Sequence, residues 1–402
     1  MEKQSFKLSN QIYFLRLIAL WPSVGLLATN SIYITYINFF YLVFLFVYAL
    51  RIAAWRQNFW KIFASSSVLF CLYIIFFMIT TFLGVDHNYS MLLKYYTMPI
   101  SLTSVLIFFV AGYYFDERLF VKEFVALVSL YTLLSIGAVA TNLVDFSQTR
   151  IIAGLDVPLA IAAAAIYSQF VLMFVLLIGS IVSLKKTVII CSIIGLLPLL
   201  FLKRNETLIK VKKKLNIKRV MLALLVIVSL IIFASTISEL LEATLTRVMV
   251  EGVEDKNRLV QLNEYLRLLG EYFPRGTGYY TFGSLTMESI PYETLNADGS
   301  VFYGVSLHNT IMHITLEGGL AVSAIAFALY WKSFRAVRYL YKFSQSRNLA
   351  VLLYSWLFVS ITYGFFNQLH SQVYFFGILA YIFGAHARYL ASSLAINRSQ
   401  HY

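Results

Sequence analysis

The stretch Ser306-Leu307-His308-Asn309-Thr310-Ile311-Met312-His313-Ile314-Thr315-Leu316-Glu317-Gly318-Gly319 sets two imidazoles, two threonine hydroxyls and a carboxylate at the head of an otherwise apolar run. Polar groups in hydrocarbon are costly, so each of them needs a partner or a task. His308 stands at the edge of a long polar stretch, where an imidazole in contact with water can accept a proton at neutral pH and serve as a general base. His313 and Glu317 are four apart and share a helix face, the spacing of a buried structural pair that locks helix packing. His308, Met312, Thr315 and Gly319 line another face, and Gly318-Gly319 lets a neighbouring helix approach closely. At ~1.5 Å per residue, Glu317 lies about 13 Å deeper than His308.

Upstream, residues 255–272 repeat apolar side chains at Leu259, Leu262, Tyr265, Leu266 and Leu269, the period of an amphipathic helix lying against the membrane surface. Pro274 ends it. Arg275-Gly276-Thr277-Gly278 then gives a flexible turn whose backbone can come close to an anion, or which serves only as a connector. Tyr279, Tyr280, Phe282, Tyr292, Phe302 and Tyr303 offer flat faces and hydroxyls that suit a sugar and equally suit an interfacial aromatic belt.

The elements that must position these groups are membrane helices. With 60% hydrophobic and 13% charged residues over 402 positions, the chain has more apolar surface than a water-soluble fold can hide. Apolar segments near 12–29, 32–50, 62–83, 97–115, 120–142, 159–184, 187–202, 219–237, 309–331, 350–369 and 372–388 predict an all-α polytopic membrane protein. We expect one integral membrane domain, 1–402, with about 10–12 transmembrane helices. Arg16, Trp21 and Pro22 in the first run, with no small-residue cleavage site after it, argue for a retained helix over a removed signal peptide. Cys71 and Cys191 lie inside apolar runs without metal-ligand spacing, so no metal site is expected from them.

Charge orients the chain. The polar stretch 238–307 holds ten of the 19 acidic residues and five of the 32 basic ones. Basic runs flank it one crossing away: Lys203, Arg204, Lys210, Lys212, Lys213, Lys214 and Lys218 in 203–218, and Lys332, Arg335, Arg338, Lys342 and Arg347 in 332–349. The positive-inside rule makes these two loops cytoplasmic and 238–307 a large extracytoplasmic loop. The net charge of +13 then reflects cytoplasmic loops, and no nucleic-acid partner is needed to explain it. Arg51, Arg56 and Lys61 also belong inside, and counting onward from them reaches 203–218 on the opposite side. Either 187–202, with Gly195 and Pro198, is re-entrant or broken, or another segment crosses a different number of times.

The run HNTIMHITLEGGLAVSAIAFALYWKSF resembles the His-Asn, acid and Gly pattern that opens a late helix in the bacterial O-antigen polymerase and O-antigen ligase superfamily. Arg258 followed by Leu-Val-Gln-Leu, and then Phe273-Pro274-Arg275-Gly276-Thr277-Gly278-Tyr279, look like that family's Arg-bearing helix and glycine turn, in the right order. The likeness covers about 254–330 by motif and the remainder by topology. It implies a multi-pass protein of the bacterial inner membrane acting on glycans carried by undecaprenyl diphosphate. A chain-length regulator is an implied partner, and neither cofactor nor metal is implied. By the same resemblance His308 is the base and Arg258 a diphosphate ligand. Asn309, Arg275 and Arg150 are further substrate contacts, and Lys185, Lys186 and Arg204 compete for a second cationic position.

The chemistry implied is attack by an acceptor sugar hydroxyl on the anomeric carbon of a lipid-diphosphate-linked glycan. The new C–O bond forms as the bond to the diphosphate breaks, the proton goes to His308, and guanidinium groups stabilise the departing anion. Three functions meet these expectations: a repeat-unit polymerase, a ligase transferring glycan to a lipid A core, and, outside enzymes, a flippase or other transporter of lipid-linked glycan.

Overall fold

A backbone surrounded by lipid has to satisfy its own hydrogen bonds, and in apolar runs of this length the helix does so within one segment. A computed structural model of the chain describes residues 13–18, 32–54, 57–84, 97–140, 155–182, 186–202, 256–279, 281–286, 293–295, 301–303, 309–343, 347–366 and 373–399. In chain order these give α1 (Ile32–Ala53), α2 (Gln57–Phe82), α3 (Thr97–Tyr114), α4 (Glu117–Ala140), α5 (Asp156–Ile166), α6 (Phe170–Val182) and α7 (Lys186–Phe201). Then follow α8 (Lys256–Tyr272), α9 (Phe282–Leu285), β1 (Glu293–Leu295), β2 (Val301–Tyr303), α10 (Thr310–Glu317), α11 (Gly319–Lys342), α12 (Arg347–Phe366) and α13 (Val373–Ser399). β1 and β2 form a short antiparallel ribbon with Thr294 opposite Phe302.

Among the described residues, Phe59–Phe82, Glu117–Ile136, Gly319–Lys342 and Arg347–Phe366 are long and apolar enough to cross a membrane, and five shorter apolar helices accompany them. The protein is an all-α polytopic membrane protein. The expected span 219–237 and the basic run 203–218 lie outside the described residues.

Three expectations about connections change. The span 159–184 is two helices: α5 ends at Ile166, and Ser168 takes a left-handed conformation at φ 58°. The Ser168 N–H donates to the Ala165 carbonyl and the Gln169 N–H to the Ala164 carbonyl, a Schellman-type closure with serine where glycine is usual. At ~1.5 Å per residue α5 measures about 16 Å, roughly half a hydrocarbon core. By contrast 187–202 is unbroken, since α7 runs through Pro198. The basic residues Lys332 to Lys342, expected in a loop, extend α11 instead.

The chain clusters into two units. One comprises Met1–Leu27, Phe115–Val253 and Val337–Thr362. Its centre is α5, whose residues are all buried, packed by α4, α6 and α7. The Trp356 indole N–H donates to the Leu159 carbonyl at 3.1 Å, with the rings of Phe120 and Phe124 against the same indole. Arg16 meets Glu123 at 2.8 Å, and Phe14 packs on Phe115.

The second unit comprises Ala28–Tyr114, Glu254–Ala336 and Tyr363–Tyr402. Here α3 packs closely on α13. A Cβ on Gly112 would collide with the Tyr381 carbonyl and one on Gly384 with the Phe109 carbonyl, so the two glycines let the backbones touch. An aromatic cluster of Phe59, Phe63, Phe109, Tyr113 and Tyr114 fills the space beside them.

Candidate functional site

Asn309 begins the site. It sits at the N-cap of α10 in an extended conformation, and its side-chain oxygen accepts the N–H groups of Ile311 at 2.9 Å and Met312 at 3.2 Å. The residue expected to touch substrate therefore starts the helix, satisfying two amides that have no carbonyl partner within it.

Four residues of α10 later, the expected buried pair is present. His313 Nδ1 lies 2.8 Å from Glu317 Oε2, with both side chains almost wholly buried. The contact is close, although its N–H···O alignment falls short of ideal hydrogen-bond geometry. The other carboxylate oxygen accepts the Phe282 N–H at 3.3 Å, so Glu317 joins α10 to α9. The Tyr279 ring stands 5.7 Å from the imidazole, centre to centre, and packs edge-on against Phe77 of α2.

The turn after α8 is committed to the same junction. Its Arg275 and Gly276 amides donate back to the Tyr272 carbonyl, Thr277 donates to Leu316, and Gly278 donates to Glu317. In the opposite direction the Leu320 N–H reaches the Pro274 carbonyl at 3.0 Å. The last carbonyls of α10, which would otherwise lack partners, are thus capped by a segment distant in sequence. Gly276 and Gly319 are both left-handed, at φ 87° and 68°, and each Cα faces the other strand's backbone too closely for a Cβ. The expected approach of this turn's backbone to an anion is not available to those four amides, because carbonyls already occupy them. The Arg275 side chain itself is exposed.

α8 is helical as expected, and part of its surface packs on protein. Leu268, Phe282 and Leu316 form a buried cluster, with Tyr265, Leu269, Tyr272, Leu285 and Met312 around it. Leu268 lies outside the expected stripe, while Leu266, inside it, is exposed. A hydrogen bond between Tyr265 Oη and Thr315 Oγ1, 2.9 Å long, links α8 to α10. The segment that follows α8 meets the end of α10 and the start of α11, with Thr277 and Gly278 on Leu316 and Glu317 and Pro274 on Leu320.

Position 258 lies in the first turn of α8 and Arg275 in the turn after it, with a rise from 258 to 272 of about 21 Å. Lys186 is the first residue of α7. His308, Arg150, Lys185 and Arg204 lie outside the described residues.

Several contributors were not singled out by sequence. Thr81 accepts the Tyr279 N–H at 3.1 Å and so fixes the turn to α2, 198 positions away. Thr277 and Thr281 hydroxyls meet at 2.7 Å inside the turn. Hydroxyls in a polar loop carry no spacing signal, so these roles became visible only once the chain was folded. In the other unit Asp156 is buried, and among the described residues its Oδ2 has no hydrogen-bond partner. Among the described residues no group of three or more His, Cys, Asp or Glu side chains could hold a metal ion. No protein-family model matches the chain, and no curated protein matches it.

Proposed function

We propose that the chain polymerises undecaprenyl-diphosphate-linked oligosaccharide repeat units into O-antigen or a related surface polysaccharide, at the outer face of a bacterial inner membrane. The observation that supports this reading is the docking of the Pro274–Gly278 turn on the end of α10, which joins the two segments that carry the resemblance, one following Arg258 and the other following His308. His308 takes the proton of the acceptor hydroxyl as that oxygen bonds to the anomeric carbon. Arg258 stabilises the lipid diphosphate as it leaves with the bonding electrons.

In cells lacking the chromosomal copy, His308→Ala and Arg258→Ala should abolish chain extension while leaving the protein at normal levels in the membrane. Normal polysaccharide length in either strain would sink the assignment. The deletion strain itself should carry core capped by a single repeat unit; bare core would make the chain a ligase instead.

A second reading, movement of lipid-linked glycan across the bilayer, draws on a different observation. The break at Ser168 and the buried Asp156 give the first unit an interrupted helix with a carboxylate at its start, a feature transporters use. Purified protein in vesicles separates the two: lengthened glycan supports polymerisation, and translocation without lengthening supports transport.

A further inference from the structure

The basic residues after Trp331 belong to a helix and not to a loop, and that changes what they can bind. α11 is one unbroken helix from Gly319 to Lys342. At about 100° per residue, positions 320, 324, 327, 331, 335, 338 and 342 fall within an arc of about 80°. All seven are exposed: Leu320, Ala324, Phe327 and Trp331 in the first part of the stripe, Arg335, Arg338 and Lys342 in the last. Phe327 and Trp331 are large and apolar yet 70% and 58% exposed, and their rings stack at 6.3 Å. The stripe is thus apolar for about 16 Å and cationic for about the next 16 Å. An indole stands at the change, where membrane proteins place tryptophan at the lipid–water interface. Lys332, about 100° round the helix, lies over the Phe383 ring at 5.5 Å and is not part of the stripe.

Helix geometry sets the three cations three and four residues apart, so each stands over the next, and like charges at that spacing repel. No acidic residue follows Glu317 in the chain. Among the described residues no carboxylate pairs with Arg335, Arg338 or Lys342. The negative end of the helix favours Lys342, but that effect fades within a turn and does not reach Arg335. We propose that this face of α11 binds an anionic phospholipid, with acyl chains along Phe327 and Trp331 and the phosphate held by Arg335, Arg338 and Lys342. Guanidinium groups grip phosphate oxygens in a fork, and the apolar half of the stripe selects a lipid over a free phosphate. Such binding is independent of the reaction proposed above.

The test uses the full chain in phosphatidylcholine nanodiscs. A rising fraction of the lipid carries brominated acyl chains, either as phosphatidylglycerol or as phosphatidylcholine. Bromine quenches an indole that it touches, and the part of the signal due to Trp331 is the difference from a Trp331→Phe protein. The dependence on mole fraction gives the association constant of one headgroup relative to the other.

We expect phosphatidylglycerol to be preferred by about fivefold or more, with the preference weakening as salt is raised. The triple variant Arg335→Gln, Arg338→Gln, Lys342→Gln should bring it close to one. A control, Arg51→Gln, Lys61→Gln, Lys122→Gln, removes the same charge from exposed positions on other helices and should keep the preference. All six side chains are exposed, so neither variant disturbs the core. Equal quenching by the two lipids, or none, would overturn the site. So would a preference that survives the α11 variant, or one lost equally in the control, which would assign the effect to the charge of the whole surface.

Discussion

Replacing Glu317 by leucine removes the acceptor facing two buried groups, His313 Nδ1 at 2.8 Å and the Phe282 N–H at 3.3 Å. A buried donor left without an acceptor costs about 1–3 kcal/mol, so Glu317→Leu should lose roughly 2–6 kcal/mol. That is a large part of the ~5–15 kcal/mol that holds typical folded domains together. Adding His313→Leu removes the imidazole that faced the carboxylate and leaves the Phe282 amide as the donor that Glu317 had served, about 1–3 kcal/mol. The double variant should therefore be more stable than Glu317→Leu alone. Glu317→Gln keeps an oxygen for Phe282 and an amide for the imidazole, which can move its proton to Nε2, and should be the mildest of the three. Thermal unfolding of detergent-solubilised protein, followed by the loss of its monodisperse elution peak, ranks the variants. A Glu317→Leu protein unfolding at the parental temperature, or a double variant weaker than the single, would refute the assignment of this pair to packing.

Two glycines with opposite surroundings give a paired prediction. Gly319→Ala puts a Cβ 2.6 Å from the Pro274 and Arg275 carbonyl oxygens at φ 68°, and should lower the yield of folded protein and the unfolding midpoint. Gly270→Ala, inside α8 with nothing within 4 Å, should raise the midpoint by the equivalent of about 0.5–1 kcal/mol. Asp156→Asn removes a charge whose Oδ2 has no partner among the described residues and should leave stability equal or higher in the same unfolding assay; a clear loss would mean the carboxylate has a partner that the fold supplies.

Much of this fold was legible in the sequence, because lipid imposes a simple rule on apolar runs: α1, α2, α3, α4, α7, α12 and α13 fall close to where hydropathy puts them, whereas the expected span 309–331 divides at Gly319 into α10 and α11. The break inside 159–184 was not legible, since neither glycine nor proline marks it. Tyr167-Ser168-Gln169 is the longest polar interruption there, and a serine in a left-handed cap is held by the helix ends it joins rather than by its own preference. Within the site, the four-residue spacing of His313 and Glu317 correctly announced a buried pair, because helix geometry alone brings them together. The same spacing rule located α8 without naming its neighbours. It found an amphipathic helix, and an amphipathic helix can turn its apolar face to lipid or to another helix with one and the same pattern. What chose between them was the docking of the Pro274–Gly278 turn on α10, a set of backbone bonds that no side-chain pattern records.

That docking also has an evolutionary consequence. The segment leaving α9 and the segment entering α10 are held on one block, at Phe282 through Glu317 and at Asn309 through its own cap. The connection between α9 and α10 thus leaves and rejoins one block, so a change in its length need not move either helix.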